Sequence, residues 1–118
     1  MILDAFKLNG KVALVTGDNG GLGQGMAITS RSGEARNTLA AIEQTGRRGV
    51  SFAADFSDSA IGPGLIDQVL AEFERLDIMA NNAGTIRRTP ALDYSADDWD
   101  FVLDVNLNSV WGHMILLK

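Results

Sequence analysis

An α/β fold built on a doubly wound parallel sheet is what this sequence predicts, and three observations carry that prediction. A short apolar run, Val12-Ala13-Leu14-Val15, leads straight into a glycine-rich turn, Thr16-Gly17-Asp18-Asn19-Gly20-Gly21-Leu22-Gly23. Two further apolar runs end near Ala54 and Ala80. Between the runs lie segments with apolar residues three and four apart, so strand and helix signals alternate, as they do in βαβ units.

The first strand is expected over Val12–Thr16, and a helix opens near Leu22. Ser30-Arg31-Ser32-Gly33 interrupts that helix. Glu34–Thr45 reads as a second one, packing through Leu39, Ile42 and neighbouring alanines, with Gly46 as its natural stop. Val50–Ala54 alternates and then turns apolar, a strand with Asp55 at its end. After a loop at Ser57–Gly62, Pro63 suits a first helical turn, and Leu65, Ile66, Val69, Leu70 and Phe73 form one apolar face. Leu76–Ala80 is the next strand, ending in Asn81-Asn82-Ala83-Gly84. A loop with Arg87, Arg88 and Pro90 leads to Ser95-Ala96-Asp97-Asp98, a capping pattern that opens a helix running toward Lys118. On that helix Trp99, Val102, Leu103, Asn106, Val110 and Met114 share one stripe, which puts the Asn106 amide among apolar side chains.

The glycine turn is where chemistry is expected. Glycines at 17, 21 and 23 remove side chains where the backbone must bend, approach a ligand and start a helix against the sheet. The helix N-terminus adds about half a positive charge, so the turn suits a phosphate or a dinucleotide pyrophosphate. The plainer alternative is an ordinary βα turn. One element of a dinucleotide-binding half is not legible: a second strand, with its ribose-reading residue about 20 positions past the glycines. Residues 37–41 are helical in pattern, and Ile28-Thr29 is the only adjacent β-branched pair between Leu22 and Gly49. About three strands are therefore expected, the second one reading as deleted.

Composition bounds the partners. The 118 residues, 46% hydrophobic and 21% charged, suit one domain over 1–118 with a real core. A net charge of −5 with scattered basic residues argues against nucleic acid. With no cysteine and only His113, thiolate chemistry is excluded and a metal site is not expected. Met1 to Lys7 lacks the apolar stretch of a signal peptide or membrane span, so a cytoplasmic location is the expectation.

Thr16-Gly17-x-x-x-Gly21-x-Gly23, Asp55 after a strand, Asn81-Asn82-Ala83-Gly84 and Val105-Asn106-Leu107, in that order, resemble the N-terminal half of the short-chain dehydrogenase/reductase family. The resemblance implies a truncated Rossmann-like sheet that binds NAD or NADP and oxidises a hydroxyl to a ketone by hydride transfer. The narrower likeness within the family is to sugar-acid enzymes, with a substrate such as 2-deoxy-D-gluconate. Carried over by position, it places Gly17, Asn19, Gly21, Leu22 and Gly23 along the cofactor phosphates and ribose. Asp55 would take the adenine amino group, since a carboxylate accepts from N–H. Asn81, Ala83 and Gly84 would lie against the nicotinamide-side ribose, with Asn82 tying strand ends together. Asn106 is the one catalytic-type residue implied, holding a water of the proton relay; an amide that merely pairs with backbone is the alternative.

The family's Ser, Tyr and Lys are not found in register. Four residues after the only tyrosine, Tyr94, stands Asp98, and the lysines are Lys7, Lys11 and Lys118. Hydride transfer by these 118 residues alone is therefore not expected, and a nucleotide-binding or subunit-association module is the competing reading. Arg87 and Arg88 are weaker candidates for a substrate carboxylate, because arginine pairs with carboxylates bidentately. Arg31 or Arg36 would suit a 2′-phosphate, whereas the likeness favours NAD. The apolar end, Trp111 to Leu117, predicts self-association through the last helix.

Overall fold

The computed structural model describes residues 4–5, 7–17, 27–30, 35–58 and 60–116. Within them the chain forms four parallel strands, β1 (Ala13–Val15), β2 (Ala27–Ser30), β3 (Val50–Ala53) and β4 (Ile78–Ala80), in the order β3-β2-β1-β4. Helix α1 (Arg36–Gln44) joins β2 to β3 and α2 (Ile61–Phe73) joins β3 to β4. After β4 come α3 (Ala96–Leu103), a π-helical segment at Asp104–Asn108 and α4 (Ser109–Leu116), one uninterrupted helical rod.

The sheet is doubly wound because its strands are apolar on both faces. Along β1, Leu14 joins a cluster with Leu65, Ile66 and Val69 of α2, Phe56 and Val105. Its neighbour Val15 points the other way, to Ile42 of α1 and Ala35, with Leu39 and Ala80 against them. The period of two along a strand sends adjacent side chains to opposite helical layers. Leu65, Ile66 and Val69 sit on the buried face of α2 as their spacing predicts; Leu70 lies at the edge of that face and is exposed.

The second strand is present, which corrects the expectation that it is deleted. Ala27, Ile28, Thr29 and Ser30 pair with Val50, Ser51, Phe52 and Ala53, while Ala27 and Ile28 pair with Leu14 and Val15. A strand laddered on both sides draws its stability from those hydrogen bonds and neighbours, so two β-branched residues suffice. Thr29 is fully buried there and its hydroxyl accepts from the Gly17 N–H at 3.0 Å. The link from β1 to β2, residues 16–26, is short in sequence, close to the minimum of roughly 10–12 residues that a parallel crossover takes.

Other elements follow their local signals. Gly46 has φ +76° and donates to Glu43 O, closing α1. Ser95 caps α3 by accepting from the Asp98 N–H at 3.1 Å. At the N-terminal ends of β1 and β4, Asp77 accepts from the Val12 N–H at 2.9 Å and pairs with Arg75 at 2.6 Å. The Arg75 guanidinium first, and the Val12 N–H after it, hold the Asp77 carboxyl down at about 2.

Candidate functional site

The carboxyl ends of β1 and β4 are the place to look. β2 and β3 lie to one side of β1 and β4 to the other, so strand order reverses between β1 and β4. In open α/β sheets ligands bind in the crevice at such a reversal. Two segments meet there, Thr16-Gly17 after β1 and Asn81 to Gly84 after β4.

Thr16 fastens them. Its side chain is buried, and its hydroxyl accepts from the N–H groups of Asn82 and Ala83, each at 3.1 Å. Its own N–H donates to Ala80 O at 3.1 Å, and the Asn82 side-chain amide donates to Thr16 O at 3.1 Å. Asn82 thus ties the two strand ends together, as an amide with both donor and acceptor can. Gly17 follows with φ +72°, and a Cβ there would stand 2.4 Å from Ala83 Cα. Both the left-handed backbone and the close approach of the β4 loop demand glycine at this point.

Of the residues expected along the cofactor, Asn19, Gly21, Leu22 and Gly23 lie outside the described residues. Gly17, Ala83 and Gly84 are brought together at the crevice. Asp55 is exposed two residues beyond β3, at the same end of the sheet, and its Oδ1 accepts from the Ser57 N–H at 3.0 Å and hydroxyl at 2.7 Å. That turn fixes the carboxylate at the strand end. The exposed residue Asn81 directs its Oδ1 to His113 Nδ1 at 3.2 Å.

Asn106 departs from its expected surroundings. It is exposed, in the π-helical segment, and its amide pairs twice with the Thr85 backbone: Oδ1 accepts from N–H at 2.7 Å and Nδ2 donates to the carbonyl at 2.9 Å. The stripe chosen from the sequence is not the core stripe. Phe101, Val105 and His113 face the core, while Trp99 and Met114 are 59% and 56% exposed. The extra residue per turn in a π segment shifts the phase of the rod, and a single 3.6 period drawn through it cannot follow.

Of the two arginines, Arg87 is committed within the chain. Its guanidinium lies 4.1 Å from the centre of the Phe101 ring and its Nε is 3.5 Å from Asp98 Oδ1. Arg88 is exposed and makes no ion pair among the described residues. His113 is a packed histidine: it is 1% exposed, edge-on to Phe56, and burial pushes its pKa down. The Thr16 hydroxyl and the His113–Asn81 bond escaped sequence reasoning. A threonine just past a buried strand was the available signal for the first, and the second joins residues too distant in sequence to leave one.

A groove of about 690 Å³ is lined by Tyr94, Ser95, Trp99, Val102, Leu103 and neighbours. Its walls include none of the strand-end residues. Among the described residues no cluster of His, Cys, Asp or Glu could hold a metal ion, and no helix is long and apolar enough to cross a membrane.

Comparison with known proteins agrees with this architecture. The profile of the short chain dehydrogenase family matches residues 11–116, and the chain belongs to that family. It is 45% identical over 121 aligned positions to the 2-dehydro-3-deoxy-D-gluconate 5-dehydrogenase of Escherichia coli (strain K12), covering 94% of this chain and 48% of that protein. Its counterpart of the same name in Dickeya dadantii (strain 3937) is 42% identical over the same shares. Among solved structures, a short chain dehydrogenase of Burkholderia cenocepacia J2315 in complex with NADP superposes with a TM-score of 0.84 at 35% identity, over 92% of this chain and 49% of the other. The chain thus spans about half the length of the relatives it matches.

Proposed function

We propose that this chain is the cofactor-binding half of an NAD(P)-dependent sugar-acid dehydrogenase, which oxidises a hydroxyl to a ketone by hydride transfer. The observation that carries the reading is the union of Thr16-Gly17 with Asn81 to Gly84 at the point where strand order reverses. These residues fit a nicotinamide dinucleotide. Small residues, Gly17, Ala83 and Gly84, leave the crevice open; Asp55 supplies an acceptor at the end of β3 for the adenine amino group; and Asn81 supplies an amide on the nicotinamide side. When bound, the cofactor supplies hydride acceptance; the residues named here bind and orient it. In this reading Asn106 serves the proton relay from its position against Thr85, as the family likeness implies.

The recovered strand bears on cofactor choice. Arg31 follows Ser30, the last residue of β2, directly, and Ala27 to Gly33 contains no acid. An arginine near that position accommodates a 2′-phosphate, where an acid would read the 2′-hydroxyl. NADP is therefore favoured over NAD. For substrate, the names of the relatives favour 2-dehydro-3-deoxy-D-gluconate reacting at carbon 5, in place of the 2-deoxy-D-gluconate expected from the sequence. Arg88, rather than the committed Arg87, is the residue offered to its carboxylate.

A second reading has an observation of its own. No tyrosine is followed four residues later by lysine anywhere in the sequence, which favours a module that holds nucleotide without turnover. Titration of NADP and NAD against tryptophan fluorescence, with melting curves at each concentration, tests the shared premise. Saturable binding that raises the melting point, tighter for NADP, supports it; a cooperative melt untouched by either nucleotide contradicts it. Ketone formation from the sugar acid by the purified chain would refute the non-catalytic reading.

A further inference from the structure

We infer that His113 is a positioning residue for the nicotinamide end of the site: from α4 it fixes the side-chain amide of Asn81 at the carboxyl end of β4. The inference rests on the proposed function only in taking Asn81 as a cofactor contact. His113 is fully buried, with its Nδ1 3.2 Å from Asn81 Oδ1 and its ring edge-on to Phe56 at 5.1 Å and 86°. An amide oxygen is an acceptor, so Nδ1 carries the proton and the neutral ring leaves Nε2 bare. Nε2 is itself buried with no partner among the described residues. An apolar side chain would fill the same space without burying that nitrogen. What the imidazole adds is one bond to Asn81.

That bond has a direction. With Oδ1 engaged by the imidazole, the Asn81 Nδ2 is left as the donor, and it makes no hydrogen bond among the described residues. Two hydrogens on one nitrogen are thereby presented at the strand end instead of an amide free to rotate. A donor held in place suits ribose hydroxyl oxygens, and holding it in advance lowers the ordering cost of binding. Asp58 is the titratable group that shares the small cavity beside His113, about 130 Å³, with Ile61, Pro63 and Ser109. Its Oδ1 accepts from the Ala60 N–H at 2.9 Å.

Binding of NADP and of 2′,5′-ADP, the adenine half alone, to wild type, H113L, N81A and the double variant tests this, with a melting curve for each protein. The expected result is an approximately fivefold weaker NADP affinity for H113L and for N81A, no change for 2′,5′-ADP, and a double variant no weaker than N81A. Should H113L fail to fold, H113F, which keeps a ring in the buried space and lacks only the nitrogen that bonds Asn81, gives the same contrast between ligands. Equal losses for both ligands, or losses that add in the double variant, overturn the inference. Sensitivity of NADP binding to N81A but not to H113L overturns it while leaving the proposed function intact. Wild type that binds neither ligand, or N81A that binds NADP unchanged, overturns the cofactor role of the crevice and this inference with it.

Discussion

Gly17 and His113 are the residues on which the geometry makes its sharpest demands. A Cβ at Gly17 would stand 2.4 Å from a backbone atom, in a left-handed conformation that costs other residues about 1–2 kcal/mol before any clash. Gly17→Ala should therefore destabilise the fold by about 2–4 kcal/mol, read from the denaturant midpoint; a change below about 0.5 kcal/mol would mean the β4 loop does not sit against it. His113 has its folded pKa pushed below 6.5 by burial, so the unfolded chain takes up the proton first. Its neutral form stabilises the fold fully above pH 6.5, and that contribution falls away as the pH drops below it. Melting curves between pH 7.5 and 5 should show this loss in wild type and a flatter profile in H113L. The Thr16 hydroxyl, serving two N–H groups at once, is the least replaceable contact at the crevice; Thr16→Val should cost about 2–4 kcal/mol by stranding both donors.

Among the elements, β1 and β4 are bracketed at both ends, by Asp77 with Val12 and Arg75 at the amino ends and by Thr16 with Asn82 at the carboxyl ends. Asp77 has its carboxyl lowered from 3.8 to about 2, so its contribution is complete above pH 3.8 and is lost as the pH falls toward 2. Asp77→Asn should lower the melting point at neutral pH and remove part of the acid-induced decline between pH 4 and 2; an unchanged acid limb would contradict the bracket. Most elements were legible in the sequence. The apolar face of α2, the Gly46 stop and the Ser95 cap follow from local patterns that the structure reproduces, while the Asn82 tie was implied by the family resemblance alone. Strand β2 was not legible, because Ala27 to Ser30 is held by ladders on either side and only two of its residues carry a strand signature. The helical rod after Ser95 was legible as a helix, but its facing was not, since the π segment at Asp104–Asn108 changes the phase midway. The site was half legible: motifs identified the segments at the strand ends, while the Thr16 hydroxyl, the Thr85–Asn106 pairing and the His113–Asn81 bond depend on long-range approach.

The whole molecule presents two surfaces of different character. One is the crevice between β1 and β4; the other is the helical rod, on which Trp99, Leu107, Trp111, Met114 and Ile115 are all at least 45% exposed. Large exposed apolar side chains in such number on one rod favour association. Sedimentation of the chain at increasing concentration should show a rise in mass that Trp111→Asp suppresses; a monomer at every concentration would contradict an associating rod. The proposed function puts the cofactor in the crevice, and the apolar groove at Tyr94 and Trp99 gives a competing location on the same molecule. Amide chemical shifts recorded while NADP is added distinguish the two most directly. Cofactor binding in the crevice gives saturable shifts at Gly17 and at Asn81 through Gly84. Shifts confined to Tyr94 through Leu103, with the strand ends unmoved, would contradict it.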